Sequence, residues 1–170
     1  KNRKLFVFLD KNLKNILNLK KKIVEKAILE SCKIKKQIVE KDEKEKNLRK
    51  NLNFGHTFGH AYEATLNYSA KLNHGEAVLY GILSAIKLSK KLNILERKDF
   101  QLIFNHLKKL KFINLKVLFS NKHLNKIINF MIADKKNISK KINIITLKRI
   151  GKTNIYKKNN IIKIKKFIQD

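Results

Sequence analysis

Gly55-His56-Thr57-Phe58-Gly59-His60-Ala61-Tyr62-Glu63, followed after residues 64–73 by His74-Gly75-Glu76-Ala77-Val78, is the stretch on which the reading of this chain turns. Around it the sequence is saturated with Lys, Asn and Ile, and it has no proline or tryptophan and only five glycines. Four of those glycines (Gly55, Gly59, Gly75, Gly81) and three of the five histidines (His56, His60, His74) lie between positions 55 and 81. Five of the seven alanines fall between Ala61 and Ala85, as close helix packing around a site requires. Compositional drift does not cluster residues in this way, so function is expected here.

His56 and His60 are four residues apart, which on a helix puts both side chains on one face. Gly55 frees the backbone to turn into that helix, and His74 opens the next one beside Gly75. Three imidazoles can thus converge from two adjacent helix starts. One reading is a divalent metal with an ionisable base beside it, since neutral imidazole is a common zinc ligand and histidine titrates near working pH. The plainer reading is three satisfied or exposed histidines, and for an H-x-x-x-H pair alone it is the stronger. The clustered glycines and the third histidine favour the metal. Upstream, the acidic run from Glu40 to Glu45, then Arg49 and Asn53, adds carboxylates, a guanidinium fork suited to anions, and an amide.

The remaining chain bounds the fold. Its 170 residues suit one domain with a single core. It begins at Lys1 and its one methionine is Met131, which points to a piece of a longer protein. The net charge of +28 invites a nucleic-acid partner, but Lys/Asn/Ile bias yields such charge on any solvated surface, so nucleic-acid binding is not expected. Cys32 is alone, which excludes an internal disulfide and suits a reducing, cytoplasmic compartment. No apolar run approaches the ~18–20 residues of a membrane span, so no membrane partner is expected.

Apolar spacing predicts amphipathic helices carrying Ile16, Ile23, Val24, Ala27 and Ile28, and Phe100, Ile103, Phe104, Leu107 and Leu110. The segment from Gly75 to Leu92 is apolar over a wider arc and reads as a buried central helix. After Lys140, Ile142, Ile144 and Thr146 alternate with Asn143, Ile145 and Leu147. Gly151 and the run from Asn154 to Lys157 then complete a hairpin pattern. Phe167 and Ile168 close a last short helix. The fold class is mainly α, multi-helix, with a short β-hairpin near the C-terminus.

From Asp42 to Glu63 the chain follows the pattern DE-x-E-x-G-x-R-x-x-LN-x-GHT-x-GHA-x-E, and HGEAV follows at His74–Val78, with one exception at Asn47. By these blocks it resembles the C-terminal, metal- and substrate-binding domain of the 3-dehydroquinate synthases. The likeness extends to Phe6–Asn12, similar to the family's helix after its first metal ligand, and to Ala133–Lys136, similar to its lysine-bearing loop. The resemblance implies His56 and His74 as two ligands of Zn2+ (or Co2+), with a third, a glutamate, upstream of Lys1. It implies His60 and Glu45 as proton acceptors. It implies Lys35, Arg49 and Asn53 as substrate contacts, with one of Lys135 and Lys136, preferably Lys136. The family's glycine is Asn47 here, and asparagine best tolerates positive φ among the other residues.

The resemblance further implies the reaction. The family converts 3-deoxy-D-arabino-heptulosonate 7-phosphate to 3-dehydroquinate and phosphate, using NAD catalytically, and a homodimer is expected when the enzyme is complete. The NAD would sit on an N-terminal α/β domain absent from this chain, because no glycine-rich phosphate loop occurs in it. Residues 1–170 are then the C-terminal domain of an incomplete enzyme whose partner is the N-terminal half. Two rivals remain: another sugar phosphate cyclase on the same scaffold, and a non-catalytic basic remnant that binds nucleic acid or a protein.

Overall fold

The computed structural model describes residues 2–110, 119–133, 142–156 and 161–169. Lys136, like Lys135 and Asp134, lies outside the described residues, as does Lys157 at the end of the expected hairpin. The chain is mainly helical, with one two-stranded sheet near its C-terminus, as expected. It falls into two compact units. One comprises Lys1–Leu52 with Arg149–Lys152, the other Asn53–Lys148 with Thr153–Asp170.

In the first unit, α1 (Arg3–Lys11) and the short α2 (Leu13–Leu17) precede α3 (Lys21–Lys41). The Asn2 side chain caps α1 by accepting from the Leu5 amide at 3.1 Å. Lys26 of α3 lies over the Phe8 ring of α1, 4.9 Å from its centroid. The apolar face expected from Ile16 to Ile28 is broken, because Leu19 takes a left-handed φ of 52° between α2 and α3. Within α3, Ile23, Val24 and Ala27 are half-buried and Ile28 is exposed.

The second unit holds the larger core. Its helices are α4 (His56–Thr65), α5 (His74–Lys91), α6 (Arg97–Lys108), α7 (Leu124–Ala133) and α8 (Ile161–Gln169). Phe58, Ala61 and Tyr62 of α4 meet Ala77, Tyr80, Ala85 and Leu88 of α5, with Ile127, Ile128 and Met131 of α7 and Ile164 of α8. The expected central helix is therefore α5, and α6 buries Phe100, Ile103 and Leu107 on the predicted face. A hydrogen bond of 2.7 Å between Tyr62 Oη and Ser84 Oγ satisfies two polar groups inside this core.

The hairpin pairs β1 (Ile144–Arg149) with β2 (Lys152–Tyr156) around Gly151, whose φ is 88°. Its burial does not alternate as predicted: Ile144, Ile145, Thr146 and Leu147 are all buried. Both faces of this half-strand are covered, and Ser89 Oγ of α5 accepts the Leu147 amide at 3.0 Å. Among the described residues no helix is long and apolar enough to cross a membrane.

Candidate active site

The site is built at the starts of α4 and α5. Gly55 is the N-cap of α4 and takes φ 86°, a left-handed conformation that L side chains rarely adopt. The chain can then turn directly into His56, the first residue of the helix. Asn73 caps α5 in a capping box: its side chain accepts the Glu76 amide at 3.0 Å, and the Glu76 carboxylate accepts the Asn73 amide at 3.0 Å. This fixes His74 as the first residue of α5. Glu76 is engaged in that cap.

The three histidines converge as the spacing predicts. Ring centroids lie 5.4 Å apart for His56 and His60, 6.0 Å for His56 and His74, and 6.0 Å for His60 and His74. One α-helical stripe carries His56, His60 and Glu63, and the start of α5 brings His74 to it. The His74 Nδ1 lies 3.2 and 3.1 Å from the two carboxylate oxygens of Glu63. Ligand atoms of His60, Glu63 and His74 all lie within 4.8 Å of one another. Imidazole nitrogens and a carboxylate are the donor set of protein zinc and cobalt sites, so the cluster fits a divalent metal, although this close-set group takes in His60 and Glu63 and not the expected ligand His56.

Close helix approach holds this geometry. A Cβ at Gly59 would lie 3.0 Å from the Ala77 backbone oxygen, and one at Gly81 would collide with the Gly55 backbone oxygen. Gly55, Gly59 and Gly81 are thus the points where α4 and α5 touch backbone to backbone, whereas a Cβ at Gly75 would meet only the Asn73 side chain.

The remaining expected residues fall as follows. Lys35 is exposed on α3. Glu45 and Arg49 are half-buried in the turn after α3, and Asn53 ends a 3₁₀ helix, Leu48–Asn53. The Asp42 carboxylate organises this turn, accepting the amides of Lys46, Asn47 and Arg49 at 2.8–2.9 Å. Those amides, that of Arg49 foremost, hold the Asp42 pKa below its ordinary value. Arg49 Nη1 donates to the Glu43 carbonyl at 2.6 Å.

Asn47 does not take the positive φ considered for it. The left-handed residue of the turn is Glu45, at φ 53°. Neither the structural part of Asp42 nor the pairing of Glu63 with His74 was expected from the sequence. The signal for Glu63 was its position three residues after His60, on the same helical face.

The family model for the 3-dehydroquinate synthase C-terminal domain matches residues 1–137. A 3-dehydroquinate synthase of Pelagibacter ubique is 55% identical over 150 residues, covering 88% of this chain and 41% of that protein. One from a Thermoanaerobacter species is 41% identical over 148 residues, 87% of this chain and 40% of its own length. One from Thermodesulfovibrio yellowstonii is 37% identical over 169 residues, 99% of this chain and 46% of its own. The chain spans less than half the length of these relatives. On the matched motifs, the helical fold that presents them and these likenesses, it belongs to the 3-dehydroquinate synthase C-terminal family.

Proposed function

We propose that this chain is the metal- and substrate-binding part of a cytoplasmic 3-dehydroquinate synthase, a phosphate-eliminating lyase of the shikimate pathway to aromatic amino acids. In this reading it acts on 3-deoxy-D-arabino-heptulosonate 7-phosphate and yields 3-dehydroquinate and phosphate. The convergence of His56, His60 and His74 at two helix starts, within a sequence 55% identical to a 3-dehydroquinate synthase, carries the proposal.

His56 and His74 hold the metal, together with a carboxylate from outside these residues. A zinc or cobalt ion there supplies Lewis acidity, lowering the pKa of substrate hydroxyls and polarising a ketone. His60, 5.4 Å from His56 between ring centroids, accepts a proton from the substrate, and Glu45 is the second acceptor. Lys35, Arg49, Asn53 and Lys136 hold the anionic and polar groups of the substrate. NAD, bound by an N-terminal α/β half that is not part of these residues, supplies reversible hydride acceptance.

Phosphate release from the seven-carbon substrate in the presence of NAD tests the reading. The chain should be silent alone and active when assembled with a nucleotide-binding half. Release by the lone chain above a His56→Ala control, or no release by the assembled pair, would overturn it.

A further inference from the structure

Glu63 is a carboxylate in the wrong place for a solvated surface charge. It lies in the second half of α4, which is buried all round, and is only 9% exposed. A buried carboxylate is costly without a hydrogen-bonding partner. That partner is His74, eleven residues on and in the next helix, whose Nδ1 is nearly equidistant from both Glu63 oxygens at 3.1 and 3.2 Å. The His74 side chain is itself 63% exposed, so the rest of the ring is open to solvent and to a ligand.

We infer that Glu63 is the positioning residue of His74: its carboxylate holds the proton on Nδ1 and so presents Nε2 as the lone-pair nitrogen for a divalent metal. The chemistry is one-directional. An ionised carboxylate only accepts hydrogen bonds, so the imidazole nitrogen facing it must carry the proton. In the neutral ring the other nitrogen then has the free lone pair. A carboxylate behind a ligating histidine fixes its tautomer and ring orientation and raises its basicity.

The Asn73–Glu76 capping box fixes the backbone of His74, and the close α4–α5 approach at Gly59 and Gly81 sets the distance across which Glu63 reaches it. The metal half of this inference rests on the proposed function above. The tautomer half does not.

The test is the nitrogen-15 spectrum of the histidines in this chain, recorded about two pH units above the ordinary histidine pKa so that the rings are neutral. The expected result is His74 in the Nδ1–H form. Glu63→Ala should release it toward the Nε2–H form, and Glu63→Gln, whose amide oxygen still accepts, should keep it. Zinc titrated against the His74 resonances should half-saturate at ~10–100-fold higher concentration in Glu63→Ala, with Glu63→Gln between that variant and the native chain.

His74 in the Nε2–H form in the native chain overturns the inference. Equal zinc losses in the Ala and Gln variants overturn it too, because they would make Glu63 a direct ligand. If Glu63→Ala fails to fold, the isosteric Gln variant decides. An Nδ1–H form with no zinc response would support the orientation of His74 and sink the metal-centre reading instead.

Discussion

The backbone oxygen of Gly55 lies against the α-carbon of Gly81, so that no side chain fits between the start of α4 and the second turn of α5. Gly81→Ala would press a methyl group into another backbone rather than into a side chain that can rotate away. Overpacking of a tight contact costs about 1–3 kcal/mol, and here the neighbour cannot yield. Thermal or denaturant unfolding should show a loss at or above that range. The histidine resonances should shift as well, because the same contact sets the distance from α4 to His74. An unchanged midpoint would mean the two helices are not in backbone contact.

His60 and His74 should separate by role. In the assembled enzyme, His60→Ala is expected to lower turnover by ~10²- to 10⁴-fold while leaving metal content unchanged, as for a proton-transfer group. His74→Ala should lose the metal. Metal analysis beside steady-state kinetics distinguishes the two. Zinc stripped by His60→Ala would instead make His60 a ligand with Glu63 and His74, whose ligand atoms already lie within 4.8 Å of one another.

Acid should loosen the turn that carries Glu45 and Arg49. Backbone amides, chiefly that of Arg49, depress the Asp42 pKa in the folded chain. The stabilisation this gives is complete above the ordinary value of 3.8 and is lost as pH falls through the lower folded value. The amide shifts of Lys46, Asn47 and Arg49 should titrate together with a midpoint under 3.8. Asp42→Ala should abolish that titration and speed hydrogen exchange at the same three amides. A midpoint at or above 3.8 would count against the bonded turn.

Alkali should act on the core through Tyr62. Burial pushes its phenol up to about 12, partly offset by the hydrogen bond with Ser84. Because the folded value lies above the ordinary 10.0, stability is complete below pH 10 and falls as pH rises toward 12. Ultraviolet titration of the folded chain should show an ionisation near 12 that Tyr62→Phe removes. The same substitution leaves Ser84 Oγ without this partner, at a cost of about 1–3 kcal/mol.

The sequence determined where the site is and what kind of fold presents it. The histidine spacing, the glycines beside it and the blocks around them are local patterns, and the backbone translates them directly. Gly55 does turn left-handed, α4 does begin at His56, and α5 runs within one residue of the predicted ends. Only tertiary structure decided which groups meet across distance. The Glu63–His74 pair, the Gly55–Gly81 contact and the cover over both faces of β1 join residues whose separation no periodicity encodes. The same limit explains the misread apolar face of α2 and α3. Its spacing is continuous in sequence, but the helix is interrupted at a left-handed Leu19, and a periodic pattern carries no mark of that break. Local hydrogen bonding and capping are decided over a few residues, whereas close approach and burial depend on how whole helices pack.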